Sequence, residues 1–262
     1  ERMTFMPKIK GEHNETYQVT EAGKRYVFTE TYSCVGDGFV PILVYAQNTK
    51  ITLQGIAEAR NGYYGIVIQA VKTTLEIGEM AMVLGQGVGV YSFSDSSVVT
   101  NRGYISTSAG NADVWLNGAN SEFVNFGTLT QGVDIRGTGS VVVNKAGGQI
   151  AGSLPSAVAF VLDAGETAKL VNHGIILRTS GSSEAFYGAA GQDIVINKGR
   201  MDGRITMGAG DDRLDTRGGV IRGEIRGGAG DDTLITDKAG YKLTEAANEG
   251  FDTVKSTVTY TL

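Results

Sequence analysis

The stretch "VVTNRGYI" (residues 98–105) contains the element Asn-x-Gly-x-apolar, which returns along the chain at the spacing of one structural repeat. Further copies begin at Asn125, Asn172 and Asn197, and a copy that begins at Asn144 carries two extra residues. Successive asparagines lie 24, 19, 28 and 25 positions apart. Self-similarity at this period predicts a repeat architecture, in which one unit with a loop of variable length stacks on the next.

Each repeat also contains two other short apolar segments, one before the asparagine and one between units, such as Val141-Val142-Val143 and Val133-Asp134-Ile135. Three short strands in a unit of about 18–28 residues, without a helical period, describe one coil of a parallel β-helix. Strands of stacked coils would pair at roughly 4.8 Å. The sequence therefore predicts an all-β, right-handed parallel β-helix (β-solenoid) over residues 49–206, in which "ITLQGI" (51–56) and "TLEIGEM" (74–80) are weaker copies of the repeat.

The asparagine and the glycine of each repeat have structural explanations. Asparagine tolerates turn conformations, and its amide can hydrogen-bond the equivalent amide one coil away. The glycine allows the backbone to turn with positive φ. His173 occupies the variable position between them, so no metal or catalytic role is expected for it. We expect an inward ladder at one corner of the coil, formed by Asn101, Asn125, Asn144, Asn172 and Asn197.

Residues 1–48 do not show the repeat. The segment "TYQVTEAGKRYVFTETYSCV" (16–35) alternates like antiparallel or edge strands, which predicts an N-terminal β cap over the open end of the stack. Cys34 is expected to pack in it as a small buried apolar side chain, because a reactive thiol would need a basic neighbour.

Composition narrows the possible partners. The chain has 262 residues, including 38 glycines, 3 prolines and 1 cysteine, and its net charge is −5. No basic cluster suits a phosphate backbone, so nucleic acid is not an expected partner. No apolar run approaches the ~20 residues of a membrane helix, and one cysteine cannot form an internal disulfide. Since the chain starts at Glu1 and ends on the strand-like "STVTYTL", we expect it to be a piece of a longer protein.

Two glycine-rich turns carry the candidate chemistry. The stretches "MGAGDDRLD" (207–215) and "GGAGDDTLI" (227–235) follow Gly-Gly-x-Gly-x-Asp-x-U-x, where U is a large apolar residue, and only the first residue of the first copy departs from it. A degenerate copy, "GAAGQDIVI", covers residues 188–196. Because the copies start about one coil apart, we expect these turns to lie above one another in the solenoid.

The aspartates at the sixth position, Asp193, Asp212 and Asp232, recur at the spacing of one coil and should therefore stack. A phosphate-binding loop would need a following helix, and the lysine of a P-loop is missing. Plain turns without an ion are a second possibility, but stacked and unpaired aspartates would repel each other. A bound cation is the interpretation that the residues favour.

The pattern resembles the calcium-binding nonapeptides of RTX (repeat-in-toxin) hemolysin-type proteins, which bacteria export by type I secretion. The resemblance is strong over residues 188–262 and weaker over 49–187. It implies a β-roll-like end of the solenoid, residues 207–236, with Ca²⁺ between successive turns. Calcium takes six to eight oxygen ligands, and glycines let backbone carbonyls point inward. The implied ligands are Asp212, Asp232 and the carbonyl groups of Met207, Gly208, Gly210, Gly227, Gly228 and Gly230.

The resemblance also assigns the residues around these ligands. A further ion at Asp193 is less favoured, because Ala189 replaces a glycine. Asp211 and Asp231 occupy the variable position of the motif and should face solvent. Residues 237–262 resemble the linking segment that follows such nonapeptides, and the apolar residues of the eighth position should enter the core: Val195, Leu214 and Leu234.

We therefore expect a secreted, calcium-dependent module that folds in external calcium and has a structural or adhesive role at the bacterial surface or in a matrix. A polysaccharide or cell-surface ligand is its candidate partner, and the export signal is expected outside this chain. The alternative is the β-helix domain of a polysaccharide-active enzyme (lyase, hydrolase or epimerase), which needs acids with Arg or Lys in an outer groove. No catalytic residue is predicted, because the outward acids of the middle coils form no paired motif: Asp113, Asp134 and Asp163.

Overall fold

Short strands joined by tight turns make up the structure, which is a computed structural model. It describes residues 6–36, 38–109, 111–152, 156–179, 184–241, 243–245 and 249–259. Within these ranges there are 33 strands and no α-helix. A helix with the length and apolar character needed to cross a membrane is therefore absent from the described ranges.

The strands contain two to six residues each. In the first third of the chain they are β1 (Lys8–Ile9), β2 (Glu12–His13), β3 (Tyr17–Val19), β4 (Arg25–Phe28), β5 (Ser33–Gly36), β6 (Ile42–Val44), β7 (Lys50–Leu53), β8 (Ile56–Ala59), β9 (Tyr64–Ile68), β10 (Thr74–Ile77) and β11 (Met82–Gly85). The middle third contains β12 (Val88–Ser92), β13 (Val98–Asn101), β14 (Tyr104–Thr107), β15 (Val114–Leu116), β16 (Glu122–Asn125), β17 (Thr128–Leu129), β18 (Val133–Ile135), β19 (Ser140–Asn144), β20 (Gln149–Gly152), β21 (Ser156–Phe160) and β22 (Thr167–Asn172). The last third contains β23 (Ile175–Arg178), β24 (Glu184–Gly188), β25 (Gln192–Asn197), β26 (Arg200–Asp202), β27 (Arg204–Ala209), β28 (Arg213–Asp215), β29 (Val220–Arg222), β30 (Ile225–Ala229), β31 (Thr233–Thr236), β32 (Leu243–Thr244) and β33 (Thr253–Ser256).

Every third strand belongs to the same sheet, so three parallel sheets run along the molecule. Sheet A contains β1, β4 and every third strand to β31, followed by β33; sheet B runs from β2 to β29; sheet C runs from β3 to β30 and then β32. Each set of three strands is one coil, with β1–β3 as coil 1 and β28–β30 as coil 10. The described chain is thus a parallel β-solenoid of about 10 turns, which confirms the predicted fold class.

Alternation along each strand builds the core. In β13 and β16, partly exposed residues alternate with buried ones, as expected when one face of a strand points into the coil. The inward side chains form one continuous hydrophobic cluster from Ile9 to Leu234. The eighth-position residues Val195, Leu214 and Leu234 are at most 2% exposed and lie in register in sheet A, as predicted.

The predicted asparagine ladder is present. The amide Nδ2 of each asparagine donates to Oδ1 of the next at 2.8–2.9 Å, and all five side chains are fully buried at the C-terminal ends of strands of sheet A. Asn144 is in register with its neighbours despite its two extra residues. In the coils before the ladder, Leu53 and Ile77 occupy the asparagine position.

The N-terminal segment differs from the prediction in its pairing. Strands β1, β2 and β3 lie at the edges of the three sheets, as edge strands should, but they pair in parallel with β4, β5 and β6. The antiparallel interpretation was wrong, because a parallel coil does not need the asparagine: Phe28 fills that corner position in coil 2. The sheets continue without a break across the expected boundary at residue 48.

The C-terminal segment 237–262 continues the eleventh coil, which begins at β31, and adds the first strand of a twelfth. β32 pairs with β30, and β33 pairs with β31, both in parallel. Residues 242, 246–248 and 260–262 of this segment lie outside the described residues.

Candidate functional site

The two glycine-rich turns stack at the edge between sheets C and A. Each turn leaves a strand of sheet C (β27 or β30) and enters the following strand of sheet A (β28 or β31). Gly208 and Gly228 are register partners and have nearly equal φ values of 109° and 105°. A Cβ at Gly228 would collide with the carbonyl oxygen of Gly208, so this position requires glycine for two reasons: its φ and its close approach to the coil below.

The same conformation recurs at the fourth position of the motif. Gly210 and Gly230 have φ values of 117° and 128°, and a Cβ at Gly230 would meet the carbonyl oxygen of Gly210. Neither Ala189 nor Gly191 in the degenerate turn has a positive φ. The curled backbone with positive φ is thus present in the turns at 207–212 and 227–232, and the 188–193 turn lacks it at Ala189 and Gly191.

The sixth-position aspartates form a stacked set, as the spacing predicted. Asp193 donates its backbone N–H to Oδ1 of Asp212 at 2.6 Å, and Asp212 donates likewise to Oδ1 of Asp232 at 2.9 Å. Asp232 continues the series by donating to Oδ1 of Asp252 at 3.0 Å. We call these four residues the aspartate column. Asp193, Asp212 and Asp232 are at most 3% exposed.

The buried carboxylates of the column have oxygens with no hydrogen-bond partner among the described residues. These are both oxygens of Asp193 and the Oδ2 atoms of Asp212 and Asp232. Burial raises the pKa of Asp193 to about 8, that of Asp212 to about 9 and that of Asp232 to about 7. The charges of neighbouring aspartates contribute to the raised pKa of Asp212, after burial as the largest cause. A column of this kind is stable only when its charge is neutralised, by protons or by a cation.

Two residues that the sequence analysis did not single out complete the upper end of the column. The carboxylate of Glu245 accepts hydrogen bonds from the backbone N–H groups of Gly227 (3.1 Å) and Gly228 (3.0 Å). Carboxylate oxygens of Asp232, Glu245 and Asp252 lie within 4.8 Å of one another, and we call these three residues the acidic cluster. Burial is the largest cause of the raised pKa of Glu245, and the Asp252 charge adds to it.

A sequence signal existed for one of these residues. Gly250-Phe-Asp252-Thr-Val254 repeats the Gly-x-Asp-x-apolar core of the nonapeptide one coil after Gly230, and Val254 pairs with Leu234. Glu245 had no such signal. Its neighbour Thr244 pairs with Arg226 in sheet C, so the chain completes this coil in fewer residues than separate successive copies of the nonapeptide.

The donor set fits a hard divalent cation. The unpartnered atoms of the column are carboxylate oxygens, and the carbonyl oxygen of Met207 lies near one of them, Asp193 Oδ2, since a Cβ at Gly188 would touch both. Oxygen ligands of these two kinds are those that calcium takes, whereas softer metals favour nitrogen and sulfur. The outer aspartates Asp211 and Asp231 are exposed, as predicted, and accept the N–H groups of Asp231 and Phe251 at 2.9 Å.

The other residues considered for function lie away from this site. Asp113 was expected to face outward, but it is fully buried, because its carboxylate accepts the N–H groups of Thr130 (2.5 Å) and Gln131 (2.7 Å). Asp134 lies on the outer face of sheet C in an ion pair with Arg136, and Asp163 is exposed in a turn.

The remaining two residues are where the sequence placed them. His173 is exposed at the variable position of its repeat. Cys34 is buried, and burial raises the pKa of its thiol, which disfavours the reactive thiolate.

Comparison with known proteins gives no relative. No protein-family model matches the chain, and no curated protein or solved structure matches it.

Proposed function

We propose that this chain is a calcium-binding β-solenoid module of an exported, RTX-like bacterial protein, with a structural or adhesive role outside the cell. The observation that carries the proposal is the aspartate column, in which buried carboxylate oxygens without partners stack beside glycine turns of matching conformation. Uncompensated buried carboxylates destabilise a fold, so their repetition over successive coils favours a ligand that neutralises them.

One ion is assigned to the layer between the turns at 207–212 and 227–232. Its ligands would be Asp212, Asp232 and carbonyl groups of Met207, Gly208, Gly210, Gly227, Gly228 and Gly230. The layer at Asp193 is the weaker candidate, since Ala189 and Gly191 lack the curl of the other turns. The acidic cluster supports a layer above Asp232, where Glu245 and Asp252 add two carboxylates.

Calcium binding would couple folding to location. The carboxylates repel one another in a calcium-poor cytoplasm, which favours an unfolded chain that a secretion channel can pass. External calcium would then stabilise the folded coils by mass action. Each of the lower layers has one carboxylate per coil, so affinity is expected in the ~10⁻⁴–10⁻³ M range of extracellular calcium modules.

Calorimetric titration with calcium tests the proposal, combined with thermal melts in calcium and in chelator. The test variant is Asp212→Asn with Asp232→Asn, which keeps the shape of both side chains and removes their charge. The matched control is Asp211→Asn with Asp231→Asn, which removes two charges from the exposed positions next to them.

We expect the parent and the control to bind calcium and to melt at higher temperature in its presence. The test variant should lose most of the calcium heat and most of the shift in melting temperature. Equal binding by the test variant and the parent would show that the glycine-rich turns do not bind calcium. A loss shared equally by test and control would assign the effect to general surface charge.

A further inference from the structure

The outer face of sheet C carries a row of aromatic side chains in coils 3 to 5, far from the calcium candidates. Tyr64 and Tyr91 stack with ring centroids 5.1 Å apart, and Tyr91 contacts Phe93 at 3.9 Å and Trp115 at 5.5 Å. Tyr63 lies against Tyr64, and about half of the Tyr63 and Phe93 side chains is exposed. Tyr91 is itself buried, with Tyr64 and Trp115 packed against it, so the accessible part of the group consists of Tyr63, Phe93 and the partly exposed faces of Tyr64 and Trp115. Aromatic side chains gathered on one sheet face in this way are characteristic of a binding surface.

The row ends at a cavity. Trp115, Asp134, Ala159 and Tyr187 follow one another as register partners in coils 5 to 8. Because Ala159 is small, it leaves a gap between the larger side chains of Trp115 and Tyr187. The cavity has a volume of about 240 Å³ and is lined by all four residues. Three coil steps of ~4.8 Å separate its aromatic walls by ~14 Å along the solenoid axis.

Polar groups surround the cavity and carry no net charge. Asp134 forms an ion pair with Arg136 at 3.1 Å, and the guanidinium of Arg136 lies 4.8 Å from the centre of the Trp115 ring. These contacts hold a carboxylate and a guanidinium in fixed positions beside an aromatic wall. Asn111 and Ser156 add an amide and a hydroxyl to the lining. Fixed donors and acceptors around a mostly apolar depression are the usual composition of a small-molecule subsite.

We infer that this cavity and the aromatic row bind a neutral polysaccharide chain that lies along the solenoid axis. A pyranose ring presents a C–H face that packs on aromatic rings, and its hydroxyl groups pair with carboxylate, guanidinium and amide groups. The Asp134–Arg136 pair is neutral, so it favours an uncharged ligand over a polyanion. A repeating chain suits the surface because aromatic groups lie in coils 3 to 5 and again in coil 8, all along one axis.

This inference gives the adhesive part of the proposed function a partner and rests on that part alone. The cavity is built from coils 5 to 8, so its binding does not require the calcium turns of coils 9 and 10. Loss of calcium binding and loss of polysaccharide binding are therefore separate results.

The single tryptophan of the chain provides the measurement, since Trp115 is a wall of the cavity. Tryptophan fluorescence is followed in excess calcium during titration with laminarin, dextran and galactomannan as neutral polysaccharides. Alginate is the anionic comparison. We expect a saturable change of emission with at least one neutral polysaccharide and a weaker response to alginate.

Two variants alter the cavity in opposite ways and keep the fluorescent residue. Tyr187→Ala removes one aromatic wall, and Ala159→Leu fills the gap between the walls. Each should weaken binding about tenfold, equivalent to the loss of one good contact. Phe251→Ala is the control, because it removes an aromatic side chain that is 88% exposed and remote from the cavity. Circular dichroism verifies that each variant is folded.

Several results would overturn the inference. These are no saturable response to any of the neutral polysaccharides, a response to alginate alone, or equal affinity in the parent and both cavity variants. A change of emission that follows protein concentration, together with a larger sedimentation coefficient, would show that a second copy of the chain covers this face instead. The Asp212→Asn, Asp232→Asn variant should bind the polysaccharide like the parent as long as coils 5 to 8 remain folded.

Discussion

The asparagine ladder and the aspartate column each repeat one side chain on successive coils of the same solenoid. The side chains of the ladder hydrogen-bond one another, whereas those of the column leave carboxylate oxygens without partners. An amide has both a donor and an acceptor, so each asparagine donates to the next at 2.8–2.9 Å, and Asn144 also donates to the carbonyl of Ile175 at 3.2 Å. An ionised carboxylate has acceptors only. The aspartates therefore bind backbone N–H groups with Oδ1, while Oδ2 of Asp212 and of Asp232 has no partner within the described ranges.

Because of this difference, the stability of the ladder should not depend on pH or calcium, whereas that of the column should. The ladder needs nothing from the solvent, so coils 5 to 8 should stay folded wherever their apolar core is intact. The column needs protons or a cation, so we expect coils 9 and 10 to respond to pH and, on the proposed function, to calcium. The following experiments exchange or remove the chemical feature that distinguishes the two stacks.

The largest effect is expected from placing a carboxylate in the ladder. Asn144→Asp removes the donors to Asn172 and to Ile175 and introduces a buried charge without a partner. We expect the free energy of unfolding in urea at pH 7 to fall by about 3–5 kcal/mol. The loss should shrink at low pH, where the protonated carboxyl group can donate.

The control is His173→Asp, which adds a carboxylate at a neighbouring exposed position and should change stability by less than about 0.5 kcal/mol. Equal losses in the two variants would mean that burial in the ladder is not the cause.

Calcium withdrawal should have the next largest effect, confined to one end of the molecule. At tenfold the Kd each bound ion contributes about 1.4 kcal/mol to the free energy of unfolding. In hydrogen–deuterium exchange, chelator should reduce the protection of β28, β30 and β31 and leave that of β13, β16 and β19 unchanged. A uniform loss of protection over all coils would contradict the proposed location of the ions.

Without calcium, the free energy of unfolding should fall as pH rises, whereas a salt-bridged carboxylate would make it rise. The pKa values of Asp193, Asp212 and Asp232 rise from the ordinary 3.8 to about 8, 9 and 7 on folding. Between pH 4 and 9 the folded chain thus holds more protons than the unfolded chain, so the free energy of unfolding falls as pH rises. We expect a loss of about 1–2 kcal/mol over this range, of the size of one unsatisfied buried group.

Thermal melts from pH 5 to pH 9 in chelator measure this dependence. The Asp212→Asn, Asp232→Asn variant should show a flatter profile, and saturating calcium should flatten the profile of the parent. A melting temperature in chelator that rises with pH would reject the proposed cause.

The smallest effect is expected from Glu245→Gln. The amide oxygen can still accept a hydrogen bond from Gly227 or Gly228, but one charge of the acidic cluster is lost. Calcium affinity should fall by about two- to fivefold, equivalent to less than ~1 kcal/mol. Asp163→Asn removes an exposed charge elsewhere and is the control; the same change in affinity for both variants would exclude a specific role for Glu245.

Recurring residues were predictable from the sequence because stacking places equivalent positions of successive repeats at the same corner. Asn101 to Asn197 and Asp193 to Asp232 could be aligned from their spacing alone, and the structure places both sets in contact. The repeat also predicted the parallel pairing of the middle coils. Asp252 was within reach of the same argument, since Gly250 and Val254 flank it at motif spacing.

The positions of residues without a recurring signature depend on how complete coils pack. Coils 1 to 4 lack the asparagine, and their parallel stacking places apolar side chains at the same corner instead: Ile9, Phe28, Leu53 and Ile77. The burial of Asp113 depends on the path of the loop at Thr130 and Gln131.

The acidic cluster and the sheet C cavity arise in the same way from coils of unequal length. Glu245 reaches Gly227 because its coil is short on that side, and Trp115 faces Tyr187 because four strands far apart in the chain share one register. A local pattern specifies which residues turn inward. Only the stacking of complete coils determines which side chains on different coils meet, because each loop adds its own number of residues between them.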